Sequence, residues 1–111
     1  MSREGHDPIE PVVAGNVRYE AIHRGKAIGL EQNGGYVAAI DPKTGWELWL
    51  VRVYAIDHGA DKEPDRLDVF ITTMTLAADG RHILVADENG RSFSIDLATR
   101  AVNPVTAPAY R

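Results

Sequence analysis

The chain has 111 residues and a mass of 12.2 kDa, which suits one domain with a single modest core. Hydrophobic residues make up 44% and charged residues 25%, a globular balance rather than a disordered one. With 12 Lys and Arg against 16 Asp and Glu the formal net charge is −4, which argues against a nucleic-acid or anionic-membrane partner held on a basic face. No apolar run approaches the ~18 residues of a spanning helix, and the absence of cysteine excludes disulfides, thiolate metal sites and a cysteine nucleophile.

The opening residues, Met1 to Pro11, are polar and broken by Pro8 and Pro11. A secretory signal needs an apolar stretch of ~7–15 residues there, so a cytoplasmic location is expected. The same composition predicts a flexible tail over residues 1–13, followed by one domain over 14–111. Turn signals then follow at near-regular spacing: Arg24-Gly25, Asn33-Gly34, Asp41-Pro42-Lys43-Thr44-Gly45, Asp79-Gly80 and Asn89-Gly90. Asn-Gly and Asp-Gly accept the positive φ of tight hairpin turns. Between them the spacing predicts strands over 17–22, 27–31, 36–40, 46–56, 67–77, 82–86, 92–95 and 101–105. No stretch carries apolar residues at i, i+3, i+4 and i+7, so little or no helix is expected. Gly29 falls inside a predicted strand, where glycine marks a bulge or a close backbone approach.

The first long strand is apolar on both faces. Trp46, Leu48, Leu50, Tyr54 and Ile56 alternate with Trp49, Val51, Val53 and Ala55, and Arg52 interrupts the first set. In the second, Leu67, Val69 and Ile71 alternate with Asp68, Phe70 and Thr72. A second sheet, a closed barrel or a partner chain must cover the surplus. A shift of 55 residues lays 26–45 on 81–100 without gaps, matching Ile28 with Ile83, Gly35 with Gly90, Ile40 with Ile95, Asp41 with Asp96 and Thr44 with Thr99. The expected fold is all-β: about eight antiparallel strands in two four-stranded meanders, over about 17–56 and 67–105. They are arranged as two blade-like sheets, a sandwich or a small barrel.

Ala39, Asp41, Thr44, Gly45 and Trp49 stand at the spacing Ala-x-Asp-x-x-Thr-Gly-x-x-x-Trp. This pattern resembles the repeat of quinoprotein-type (PQQ-like) β-propellers, where it is a tryptophan docking motif. The resemblance implies a turn between the third and fourth strands of a blade, with the Trp packed between neighbouring blades. In the second copy Ser94, Asp96 and Thr99 keep their places, while Arg100 and Pro104 stand where the Gly and Trp would be. Physically, Asp41 can accept hydrogen bonds from turn amides, Pro42 presets φ, and Gly45 takes the positive φ that closes the turn. A closed propeller needs at least four blades, and this length holds two. Cofactor-binding relatives of that kind build their site on the axis of a full ring. Neither quinone binding nor dehydrogenase activity is therefore carried over, and no cofactor is expected.

The loop from Asp57 to Asp65, with His58 and Glu63, is the densest polar cluster, but its spacing matches neither an EF-hand nor a His-x3-His zinc pattern. It reads as a solvated loop. His6, His23, His58 and His82 do not pair at ligand spacing, and no nucleophile–base–orienter set accompanies them. Asp87-Glu88-Asn89-Gly90-Arg91 reads as a charged hairpin. Trp46 and Trp49 fall on opposite faces of one strand, so they cannot share a core. Trp46, with Leu48, Leu50 and Tyr54, is the candidate interface, and Trp49 is the core residue. The expected function is that of a non-enzymatic module that self-associates, as a homodimer, or binds another protein. The alternative is a small-molecule-binding mini-barrel, and an enzyme comes third.

Overall fold

A computed structural model of the chain describes residues 9–55 and 69–105. Eight strands carry the fold: β1 (Val12–Ala14), β2 (Val17–Ile22), β3 (Tyr36–Ile40), β4 (Glu47–Arg52), β5 (Ile71–Leu76), β6 (His82–Asp87), β7 (Ser92–Asp96) and β8 (Val102–Val105). They form two four-stranded antiparallel meanders, β1-β2-β3-β4 (sheet A) and β5-β6-β7-β8 (sheet B). The all-β expectation holds. The barrel alternative does not, because the strands form two separate sheets that pack on each other.

Two predicted features are replaced near the start. Residues 12 and 13, expected in a flexible tail, belong to β1, which pairs with β2 through Val12↔Tyr19 and Ala14↔Val17. Gly15 (φ 59°) and Asn16 (φ 66°) supply the two left-handed residues of a two-residue hairpin, a turn the sequence reading passed over. Ile9 also packs against the core. Residues 1–8 lie outside the described residues.

The strand expected over 27–31 is absent. A 3-10 turn over Gly25–Ile28 stands there instead, closed by Gly29 at φ 93°. Gly29 is thus a left-handed cap, not a strand bulge. Gly25 N–H donates to the Asn33 carbonyl at 3.0 Å. Its Cα also lies so close to the Gln32 carbonyl and the Tyr36 ring that no side chain fits. These contacts fold the segment back over the end of sheet A before it can run beside β2. Gln32 is buried in this loop and donates to the carbonyls of Gly34 and Tyr54, both at 2.8 Å.

The long strand expected over 46–56 ends early. β4 stops at Arg52, and Val53 N–H donates to the Gly35 carbonyl at 2.7 Å. Tyr54 then turns into the core, so the face assigned to it from alternation is wrong. Leu48 is an extra residue opposite β3, since Ala39 pairs with Trp49 and Ile40 with Glu47.

One face of each sheet builds the core. From sheet A it comprises the rows Val12–Tyr19–Ala39–Trp49 and Ala21–Val37–Val51. From sheet B it comprises Met74–Val85–Phe93 and Ile83–Ile95–Val102. Val37, Ala39, Ile83 and Ile95 are fully buried. Burying a side chain of the Val or Ile kind is worth about 1.5–3 kcal/mol, so these rows hold the two sheets together.

Candidate functional site

The turn singled out in the sequence is built twice with the same bonds. Asp41 N–H donates to the Trp46 carbonyl at 2.9 Å, and Gly45 N–H donates to the Asp41 carbonyl at 2.7 Å. Lys43 N–H donates to the Asp41 carboxylate at 2.9 Å, and Trp46 N–H to the Thr44 hydroxyl oxygen at 3.1 Å. Fifty-five positions on, Asp96 N–H donates to the Ala101 carbonyl at 2.8 Å and Arg100 N–H to the Asp96 carbonyl at 2.6 Å. Ala98 N–H donates to the Asp96 carboxylate at 2.8 Å, and Ala101 N–H to the Thr99 hydroxyl oxygen at 3.2 Å. Gly45 has φ 78° and Arg100 φ 68°, so the second copy keeps the left-handed backbone without the glycine. Asp41, Thr44 and Gly45 therefore shape the corner, and Ala39 sits on the core face beside it.

The repeat does not run ungapped as far as expected. Ile28 lies exposed on the 3-10 turn, while Ile83 is fully buried in β6. Arg18 holds the place of Ile83, since Arg18 faces Ile40 and Ile83 faces Ile95. The inserted loop between β2 and β3 breaks the alignment. The extra Leu48 shifts it again beyond the turn. Asn103, opposite Ser94, holds the place of Trp49, opposite Ala39, and Pro104 lies one position further along.

The two tryptophans differ in surroundings. Trp49 is half-buried against the core, its ring 5.7 Å from that of Tyr19, and the Arg100 guanidinium lies over it at 6.0 Å. Burial pushes the Tyr19 phenol up from its ordinary range. Trp46 is 72% exposed and Leu48 50% exposed. Leu50 is half-buried on the sheet A face that points away from the core, opposite Ala38. Tyr54 does not join them. Its hydroxyl donates to the Val69 carbonyl at 2.7 Å, and its ring meets Phe93 at 5.4 Å.

The charged hairpin at Asp87 holds a buried carboxylate, which its reading as a hairpin did not disclose. Asp87 is buried, and it accepts from Asn89 N–H, Arg91 N–H and Arg91 Nε at 2.8–2.9 Å. The Arg91 guanidinium then covers Tyr54 at 5.0 Å and Phe93 at 5.7 Å. Burial, with the Asp87 charge second, pushes the Tyr54 phenol far up from its ordinary value. The one available signal was an Asp and an Arg four residues apart across an Asn-Gly turn.

His82 lies between two carboxylates, with Nδ1 2.8 Å from Asp79 and Nε2 3.7 Å from Asp96. Asp79 is held below the ordinary carboxylate range first by the N–H of Arg81 and then by His82. Asp96 is held down first by the N–H groups of Thr99 and Ala98. His23 Nε2 lies 3.3 Å from the Ile71 carbonyl, tying the end of β2 to β5. His6, His58 and the acidic loop 57–65 lie outside the described residues. Among the described residues no group of three or more His, Asp or Glu is placed to hold a metal ion.

One shallow concavity of about 200 Å³ lies on the face of sheet B turned away from sheet A, bordered by Thr73, Thr75, Leu84, Ser92 and Val105. It is open, and it is not the mouth of a barrel. No helix among the described residues is long and apolar enough to cross a membrane. No family model matches the chain, and no curated protein matches its sequence.

Proposed function

We propose that the protein is a small non-enzymatic β-module that works by protein association, foremost with a second copy of itself, in its simplest form as a homodimer. The observation that carries this reading is the exposed apolar set at the β3–β4 corner. Trp46 is 72% exposed, while its N–H and its carbonyl are both bonded within the turn. Leu48 stands two residues on, and Leu50 continues the set onto the outer face. Tryptophan is enriched where proteins meet, because it brings a large rigid apolar surface at little entropic cost.

In this reading each sheet is a unit of the kind found in PQQ-like propeller blades. The doubled Asp-x-x-Thr turn and the half-buried Trp49 support that resemblance. No cofactor enters, the partner is neither nucleic acid nor membrane, and the setting is the cytoplasm. The net charge of −4 supports leaving out nucleic acid and an anionic membrane surface.

Sedimentation of the full chain at micromolar concentration tests the reading. A species heavier than 12.2 kDa is expected, and Trp46→Ala with Leu48→Ala should weaken it. A strict monomer at every concentration up to the millimolar range would sink it.

A further inference from the structure

The doubled turn gives a way to compare the faces of the two sheets. Ile40 and Ile95 each precede the turn aspartate, and Ala39 and Ser94 precede them. These pairs are therefore equivalent positions. Ala39 belongs to the core between the sheets, whereas Ser94 lies in the row Thr75–Leu84–Ser94–Asn103, on the far side of sheet B. Ile95 belongs to the core, whereas Ile40 lies on the far side of sheet A, across from Arg18. The sheets thus do not meet through equivalent faces.

Let the face with Ala39 or Ser94 be the front, and the face with Ile40 or Ile95 the back. The front of sheet A is buried on the back of sheet B. The first strands of the two sheets, β1 and β5, approach each other, as one rotation repeated would require. Among the described residues the stack ends with one of each face uncovered: the front of sheet B and the back of sheet A.

From this arrangement we infer that a second copy of the chain docks the back of its sheet A on the front of sheet B, continuing the front-to-back stack. Three of the exposed large apolar residues, Val13, Leu84 and Val105, fall on these two faces. Leu84 (40% exposed) and Val105 (41%) stand on the front of sheet B, at the 200 Å³ concavity. Val13 (66%) stands on the back of sheet A at its β1 edge, and half-buried Leu50 stands on the same face at the opposite, β4 edge. The front of sheet B presents Thr73, Thr75, Ala86, Ser92 and Ser94 beside Leu84, and its ionisable pair, His82 and Asp96, stands together at the end of the face next to the turns. Of the charges on the back of sheet A, Arg18 pairs with Glu20 at 2.6 Å, Arg52 pairs with Glu31 at 3.1 Å, and Glu47 stands opposite Ile40 at the β4 edge.

Such a contact is heterologous, so it generates a closed ring or an open filament rather than an isologous dimer. The inference rests on the self-association reading for its partner. It differs in the faces used, and in giving each copy two different ones.

Two variants separate the cases. Leu84→Glu blocks the front of sheet B, and Val13→Glu with Leu50→Glu blocks the back of sheet A. Val13→Glu alone serves as the back-blocking variant if the double change lowers the melting temperature. Sedimentation of each should give a 12.2 kDa species. An equal mixture should form a two-copy species and stop there, because one intact front then meets one intact back. A mixture that stays monomeric overturns the inference. So does association of the wild type that Leu84→Glu leaves untouched while Trp46→Ala removes it, an outcome that keeps the self-association reading. A wild type that never associates defeats both.

Discussion

The guanidinium carbon of Arg100 lies 6.0 Å from the centroid of the Trp49 ring, so a turn of sheet B covers a strand residue of sheet A. Arg100 holds this position at φ 68°, where its equivalent in the first turn is Gly45. Two effects oppose each other. A cation over a partly exposed indole contributes about 0.5–1 kcal/mol, while a left-handed backbone costs a non-glycine residue about 1–2 kcal/mol. Arg100→Ala loses the first and keeps the second, and should lower stability by about 0.5–1 kcal/mol. Arg100→Gly relieves the strain and should melt above Arg100→Ala. Thermal unfolding of the pair checks this, and equal melting temperatures would remove the strain from the account.

Trp49 and Trp46 should respond in opposite ways. Trp49 packs on Tyr19 and the core, so Trp49→Ala should cost about 3 kcal/mol, the low end of the range for a large buried aromatic. Trp46→Ala touches no core contact and should change monomer stability by less than about 0.5 kcal/mol. With each Trp changed to Phe in turn, acrylamide should quench the protein retaining Trp46 far more than the one retaining Trp49.

The corner aspartates should differ in weight. The Asp41 carboxylate accepts one turn N–H, whereas Asp96 accepts two, from Ala98 and Thr99. Each Asp→Ala change should cost about 0.5–2 kcal/mol, with Asp96→Ala the larger. Denaturant titration of the two variants measures the order, and the reverse order would break the argument.

Acid should loosen the fold through Asp79 and Asp96. Both carboxyls titrate below the ordinary value of 3.8 when folded. Their contribution is therefore fully present above that value, and it is lost as pH falls through the lower folded one. Asp96→Asn should flatten the stability profile below about pH 4. A variant whose profile stays parallel to the wild type there would exclude this linkage.

Gly34 and Gly25 lie hard against neighbouring backbone. A side chain at Gly34 would run into the Val69 carbonyl and the Phe70 backbone, and one at Gly25 into the Gln32 carbonyl. Gly34→Ala should lower stability by more than 1 kcal/mol by pushing β3 away from the segment that leads into β5. Gly80→Ala meets no atom, so its cost should be only that of a left-handed alanine, about 1 kcal/mol. Melting temperatures of these variants test the ranking.

The strand count, the antiparallel meanders and the Asp41 and Asp96 corners were legible from the sequence. Each is fixed locally, by alternation along a strand or by side-chain bonds reaching two to four residues. The identity of the strands was less so. A predicted strand over 27–31 gave way to a 3-10 turn, and β1 formed inside the expected tail. Both outcomes depend on partners distant in the chain. Gly25 is held by Asn33 and Tyr36, and Val12 has a ladder only because Tyr19 is opposite it.

The tertiary structure alone decided which apolar face is covered. Alternation puts Trp46 and Trp49 on opposite sides, but the extra Leu48 breaks that count and Trp46 precedes β4; nor could alternation carry Tyr54 past the end of β4, where the Val53–Gly35 bond turns the chain. It gave no sign of the Asp87–Arg91–Tyr54 cluster, whose members are drawn together by sheet packing. Nor could it tell that the repeats meet front to back. Spacing in sequence sets the side on which a side chain leaves its strand, and only the placement of the second sheet sets which side is dry.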